Sequence, residues 1–126
     1  MRLFRAMKID GDGLPAVESS ARGLGARPNI DVPVVEGYVS AGTGGMSVTL
    51  DDAFKLPRHR LPARLGGEGR DPVFHLEARQ LPPALAVRRD AVPAEHHGLV
   101  EPTVRCTFID YQSTIQSTRH HWTLLS

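Results

Sequence analysis

The first residues after Met1, RLFRAMKI (2–9), alternate in the manner of a strand: Leu3, Arg5, Met7 and Ile9 share one side, Phe4 and Ala6 the other. Arg5 therefore stands on a face that is otherwise apolar. DGDGLP (10–15) then supplies paired Asp-Gly steps and a proline, a turn signal. AVESSARGLGARP (16–28) carries helical character and ends in a glycine-rich loop. VVEGYVS (34–40) and MSVTL (46–50) read as strands, and DDAFKL (51–56) as a short helical turn. From Pro57 to Pro72 prolines and glycines mark a loop, after which VFHLEA (73–78), ALAVRRD (84–90) and HHGLVEP (96–102) read as strands. Thr107 is placed to cap a closing helix in which Phe108, Tyr111, Ile115 and Thr118 recur at three- and four-residue spacing. Short strands with one or two helices predict an α+β domain. Its sheet should be mainly antiparallel, because parallel neighbours need more crossover helices than this chain offers.

Composition narrows this picture without redirecting it. At 126 residues the chain (1–126) is expected to form a single domain with one core. Its 12 glycines and 10 prolines favour short elements joined by loops. With 15 basic against 14 acidic side chains the formal charge is +1, which gives no overall electrostatic drive toward nucleic acid or an anionic membrane. Cys106 is the only cysteine, so no internal disulfide exists and a reducing compartment suits the chain. Arg5, Lys8, Asp10 and Asp12 interrupt the N-terminal apolar residues too early for a Sec signal peptide. No apolar run approaches the roughly 20 residues that span a bilayer. A cytoplasmic site of action, with no membrane partner, is the expectation.

The densest candidate chemistry lies in SAGTGGMSVTLDD (40–52), where Gly42, Gly44 and Gly45 precede alternating Ser47 and Thr49. The stretch lacks the Gly-Lys-Ser/Thr of a P-loop, and it continues into a strand where a dinucleotide fingerprint would enter a helix. What remains is a flexible turn leading to a strand with Ser47 and Thr49 on one face. That reads either as an ordinary turn or as a ligand loop. Arg5 needs an anion on its apolar face, either an Asp or Glu or the phosphate or carboxylate of a ligand. Adjacent His96-His97 and His120-His121 point to opposite sides of an element and chelate metal poorly, so no metal site is expected. One of His96 and His97 is placed to face a pocket. Ser47, His97 and an Asp could compose a hydrolytic triad, but the nucleophile-elbow pattern G-x-S-x-G is missing. PRHRLPAR (57–64) is locally basic and reads as a solvated loop or a surface for a phosphate or acidic partner.

Taken in order, LFRAMK (3–8), DGDG (10–13), GTGGMSV (42–48), PPALAVRRD (82–90), HHGLVEP (96–102) and a closing amphipathic helix resemble one family. They are similar to the small ADP-ribosyltransferase-like bacterial toxins of the "type six exported two" group, effectors of type VI secretion. The likeness extends over about residues 3–118. It implies a split β-sheet that binds NAD, as substrate, in a cleft. It also implies action in a target or host cytoplasm, a neutralising immunity or antitoxin protein, and an acceptor macromolecule of unknown kind. By the same resemblance Arg5 would hold the NAD phosphates and Ser47 would support the nicotinamide-side ribose, with Thr49 beside it. Gly44 and Gly45 would let the loop approach the dinucleotide, and His97 or His96 would face NAD. The family's Thr-Ser after Gly-Gly is Met46-Ser47 here, and no Glu-x-Glu or Gln-x-Glu signature appears. Glu101 is the nearest acid to the expected catalytic place. Transfer to an acceptor, NAD hydrolysis or phosphorolysis, and binding without turnover are the alternatives this pattern leaves.

Overall fold

The structure is a computed structural model that describes residues 1–90 and 94–126. Its strands are β1 (Arg2–Ala6), β2 (Tyr38–Val39), β3 (Met46–Leu50), β4 (Val73–Glu77), β5 (Leu85–Arg89), β6 (His97–Pro102), β7 (Cys106–Thr107) and β8 (Thr123–Leu124). One α-helix, α1 (Phe108–Gln116), follows β7. Among the described residues six strands form one sheet in the order β5-β6-β3-β1-β4-β8, every pair antiparallel, and β2 with β7 forms a two-stranded sheet. The expected α+β class and antiparallel sheet are both present.

Burial follows the alternation. Leu3, Met46, Leu50, Phe74, Leu76 and Val100 turn to the face that packs on Tyr111 and Ile115 of α1 and on Leu24, Ala26 and Val32. Phe4 turns to the other face and packs with Ala53, Leu56, Leu61 and Val73. The 51–72 segment thus covers the second face, with 3-10 turns at Ala53–Lys55 and Ala63–Leu65. Thr107 caps α1 by accepting from the Asp110 amide, as its position predicted.

Three sequence expectations need correction. Residues 16–28 form no helix but a chain of turns and isolated bridges in which Ala16, Leu24 and Ala26 are buried. Gly23 and Gly25 lie against the Glu18 carbonyl, where a Cβ would come within 2.9 and 2.6 Å of its oxygen. The carbonyls of Ser20 and Gly23, which a helix would consume internally, accept from Arg5 instead. The strand expected over 34–40 shrinks to Tyr38–Val39, because a positive φ at Glu36 and Gly37 turns the chain just before it. Ile9 leaves the inner face and is 45% exposed, since β1 ends at Ala6.

The site depends on a parting of the sheet. β1 registers with β3 only at Leu3↔Leu50 and Phe4↔Thr49, whereas it stays paired with β4 along its whole length. Beyond Phe4 the two strands separate, with Arg5 and Ala6 on one bank and Ser47 and Val48 on the other.

Candidate functional site: a cationic cleft at the parting of β1 and β3

Between those banks lies a cleft of about 310 Å³, at the lower end of the range for small-molecule sites. Arg5, Ser47, Thr49 and His97 line it together with Arg27, Asp31, His59 and Arg60. A smaller recess of about 180 Å³ shares Thr49, Pro57 and His97 with it and adds Lys55 and Ala94.

Arg5 has a different set of partners from those expected. Its side chain starts on the core face, opposite to Ser47 and Thr49, and its guanidinium reaches across the gap. Nη1 donates to the Ser47 carbonyl at 2.7 Å, Nε to the Gly23 carbonyl at 3.1 Å, and Nη2 to the carbonyls of Ser20 at 3.1 Å and Gly23 at 2.9 Å. Neither a carboxylate nor an open fork satisfies it. The charge is held by backbone dipoles, and burial lowers its pKa from the usual value to about 10. Where the β1–β3 ladder stops, Arg5 takes its place as a strut tying β3 to the 20–25 loop. Of the five guanidinium hydrogens, one on Nη1 has no acceptor among the described residues.

Arg60 offers more. Its Nη2 donates to the carbonyls of Ala6 (3.1 Å) and Ala21, while Nε and Nη1 have no acceptor among the described residues. Desolvation, with Arg22 and Arg27 nearby, lowers its pKa although Asp71 offsets part of this. A half-desolvated guanidinium with free N–H groups is an anion seat. The remaining pair in the cleft is closed on itself: Arg27 grips Asp31 through Nη2 at 2.9 Å and Nε at 3.1 Å. Three arginines face one carboxylate here, so the cleft is cationic although the chain is nearly neutral.

The hydroxyls and the histidine come from neighbouring strands. Register pairs Ser47 with Leu99 and Thr49 with His97, which puts Ser47, Thr49, Leu99 and His97 on one face. His97 Nε2 lies 3.3 Å from Ser47 Oγ. On the far side of the ring Nδ1 lies 3.6 Å from Asp90 Oδ2.

Other predicted residues do not line the cleft. His96 directs Nδ1 to the Leu50 carbonyl at 3.1 Å. Glu101 is buried and takes Arg88 Nε at 3.1 Å on Oε1. Gly44 and Gly45 serve the protein's own backbone. A Cβ on Gly44 (φ +150°) would meet the Asp31 carbonyl at 2.5 Å, and one on Gly45 would meet the Val100 carbonyl at 2.2 Å. The space at Gly45 admits the Tyr111 hydroxyl, which accepts from the Met46 amide at 3.1 Å and donates to the Val100 carbonyl, so a phenol completes this rung of the β3–β6 ladder.

Arg60, His59, Arg27 and Asp31 were not singled out by the sequence reading. The basic PRHRLPAR run was the available signal for the first two, since it named a phosphate-binding option. Among the described residues no group of three or more His, Cys, Asp or Glu side chains is arranged to hold a metal, and no helix is long and apolar enough to cross a membrane. Comparison with protein-family models, with curated proteins and with solved structures finds no match.

Proposed function

We propose that this chain is an NAD-consuming domain of the ADP-ribosyltransferase kind, acting as a bacterial toxin in the cytoplasm of a target or host cell. The observation that carries the reading is the convergence of Arg5, Ser47, Thr49 and His97, from three strands, on one cationic cleft at the parting of the sheet. Arg60 supports it by offering free donors to a pyrophosphate. The cleft's cations would fix the phosphates and so orient the nicotinamide–ribose bond, which is worth several kcal/mol when alignment is good. Ser47 and Thr49 would bind the ribose. An immunity protein that covers the cleft, and an acceptor macromolecule, complete the proposal.

One observation favours NAD hydrolysis over transfer. The sole carboxylate lining the cleft among the described residues, Asp31, is spent on Arg27, and Glu101 is spent on Arg88. No carboxylate is thus poised at the ribose to orient a chosen acceptor.

The test is to induce the chain in bacteria as wild type, Ser47→Ala, His97→Gln and Arg60→Gln, following growth, cellular NAD and labelled ADP-ribose on macromolecules. Growth arrest with falling NAD, abolished by each substitution in soluble protein, is expected. NAD loss without labelled macromolecules selects hydrolysis. Arrest that survives all three substitutions overturns the cleft mechanism and leaves a binding module. Arg5→Ala is a poor probe here, because the strut holds the fold as well as the cleft.

A further inference from the structure

A residue outside the resemblance's set of roles stands directly behind His97. Beyond the last β5–β6 register pair, Arg89↔Gly98, the ladder continues one step: the Asp90 amide donates to the His97 carbonyl at 2.9 Å. Asp90 is therefore the cross-strand neighbour of His97, as Thr49 is on its other side. The two are held by backbone pairing, so the placement of one beside the other does not depend on side-chain chance.

The ring between them has two inequivalent nitrogens. Nδ1 is buried and makes no hydrogen bond among the described residues, with Asp90 Oδ2 at 3.6 Å as the facing anion. Nε2 faces Ser47 Oγ at 3.3 Å in the cleft. A neutral imidazole carries its proton on one nitrogen alone. With the proton on Nε2, the Nδ1 lone pair would be buried against a carboxylate, two electron-rich groups facing one another. With the proton on Nδ1, an N–H dipole points at Asp90 and Nε2 is left as an acceptor for a hydroxyl in the cleft. The carboxylate selects the second form.

We propose that Asp90 is the positioning residue of this site, holding His97 as the Nδ1–H tautomer so that Nε2 is its general base. The identity of the reaction rests on the NAD reading above. In that reaction the bond between the anomeric carbon of the ribose and the nicotinamide nitrogen breaks, and its electron pair neutralises the pyridinium as nicotinamide leaves. The oxygen of water, or of an acceptor hydroxyl, bonds to the anomeric carbon, and its proton passes to His97 Nε2. The resulting imidazolium faces Asp90 on its other side. This gives the cleft a base where no free carboxylate lines it, and it assigns Ser47 the place of the hydroxyl that Nε2 engages before substrate arrives. The other ionisable groups around the ring's cleft are Arg5, Arg27, Lys55, His59 and Arg60, all cationic when protonated, and Asp31, whose carboxylate is closed by Arg27, so Asp90 is the anion set against Nδ1.

Nitrogen-15 NMR of the imidazoles in the intact chain reads the tautomer without any substrate. Neutral His97 should be the Nδ1–H form in wild type and in Ser47→Ala, and should shift toward Nε2–H in Asp90→Ala. Finding Nε2–H in wild type, or no change in Asp90→Ala, overturns the proposal. With NAD, Asp90→Ala should lower kcat by about ten- to a hundredfold, a part of the ~10²–10⁴ that a general base supplies, with KM little changed. Its effect should vanish in a His97→Gln background, and equal effects in both backgrounds overturn the assignment. Should the tautomers behave as stated while wild type leaves NAD intact, the role of Asp90 stands and the NAD reading falls.

Discussion

Arg5 offers the sharpest quantitative test, because the structure makes it a strut before it is a ligand contact. Replacing it by alanine strands the carbonyls of Gly23 and Ser47 and leaves that of Ser20 only a long bond from the Gly23 amide at 3.5 Å; all three accept from the guanidinium at 2.7–3.1 Å. A buried acceptor left unmade costs about 1–3 kcal/mol. The adjoining cleft lets water reach some of them, so the lower part of that range applies to each and the sum is roughly 3–5 kcal/mol. A domain of this size has about 5–15 kcal/mol in all. With an unfolding entropy of about 2.1 cal/mol/K per residue, the loss is a fall in Tm of roughly 10–20 °C. Arg5→Lys should lose about half as much, since one ammonium reaches fewer carbonyls than the fork does. Urea titration followed by Trp122 fluorescence and by circular dichroism measures both. From about pH 6 to 9 the deficit should be flat, because a guanidinium with a pKa of about 10 is charged in the folded and the unfolded chain alike. An Arg5→Ala protein within about 1 kcal/mol of wild type, yet inactive on NAD, refutes the strut and restores Arg5 as a grip for ligand.

Three further outcomes follow from single contacts. Tyr111→Phe removes the hydroxyl that bridges the Met46 amide and the Val100 carbonyl, and should cost about 2 kcal/mol with faster hydrogen exchange at the Met46 amide. Gly45→Ala drives a Cβ into the Val100 carbonyl, a backbone atom that cannot swing aside, and should destabilise by at least about 2 kcal/mol in the same titration. The hydrogen bonds from Arg22 hold the buried Asp71 carboxyl below its usual pKa, so its contribution is present above the unfolded value and lost as pH falls through the folded one. Asp71→Asn should therefore be less stable than wild type at neutral pH, with the gap narrowing as pH drops below the ordinary carboxylate range.

Much of the architecture was legible because it is written in local periodicity. The alternation in β1, β3 and β4 sorts their side chains between two packed faces, and the Thr107 cap and the 108, 111, 115 spacing announced α1. The site was legible in part: Arg5, Ser47, Thr49 and His97 do meet, and alternation put the two hydroxyls on one face. The glycines read either as an ordinary turn or, by the resemblance, as room for a ligand, and in the fold Gly44 and Gly45 make room for the 31–32 backbone, the Val100 carbonyl and a phenol. Sequence spacing cannot distinguish these, since both demand a missing Cβ. Glu101 was chosen by nearness in sequence, yet its carboxylate is closed by Arg88 across the β5–β6 ladder.

The sequence by itself determined which residues are apolar on which side, where the chain turns, and which polar groups stand alone on apolar faces. Those are consequences of backbone geometry within a few residues. Only the tertiary structure decided that β1 and β3 part after Phe4, that the 57–72 loop brings Arg60 and His59 over the gap, and that Asp90 stands beside His97. Each of these joins residues distant in sequence, Arg60 being 54 positions from Ala6 and Ser47 50 from His97. Strand register and loop closure fix such contacts, and both are settled by the packing of the whole core.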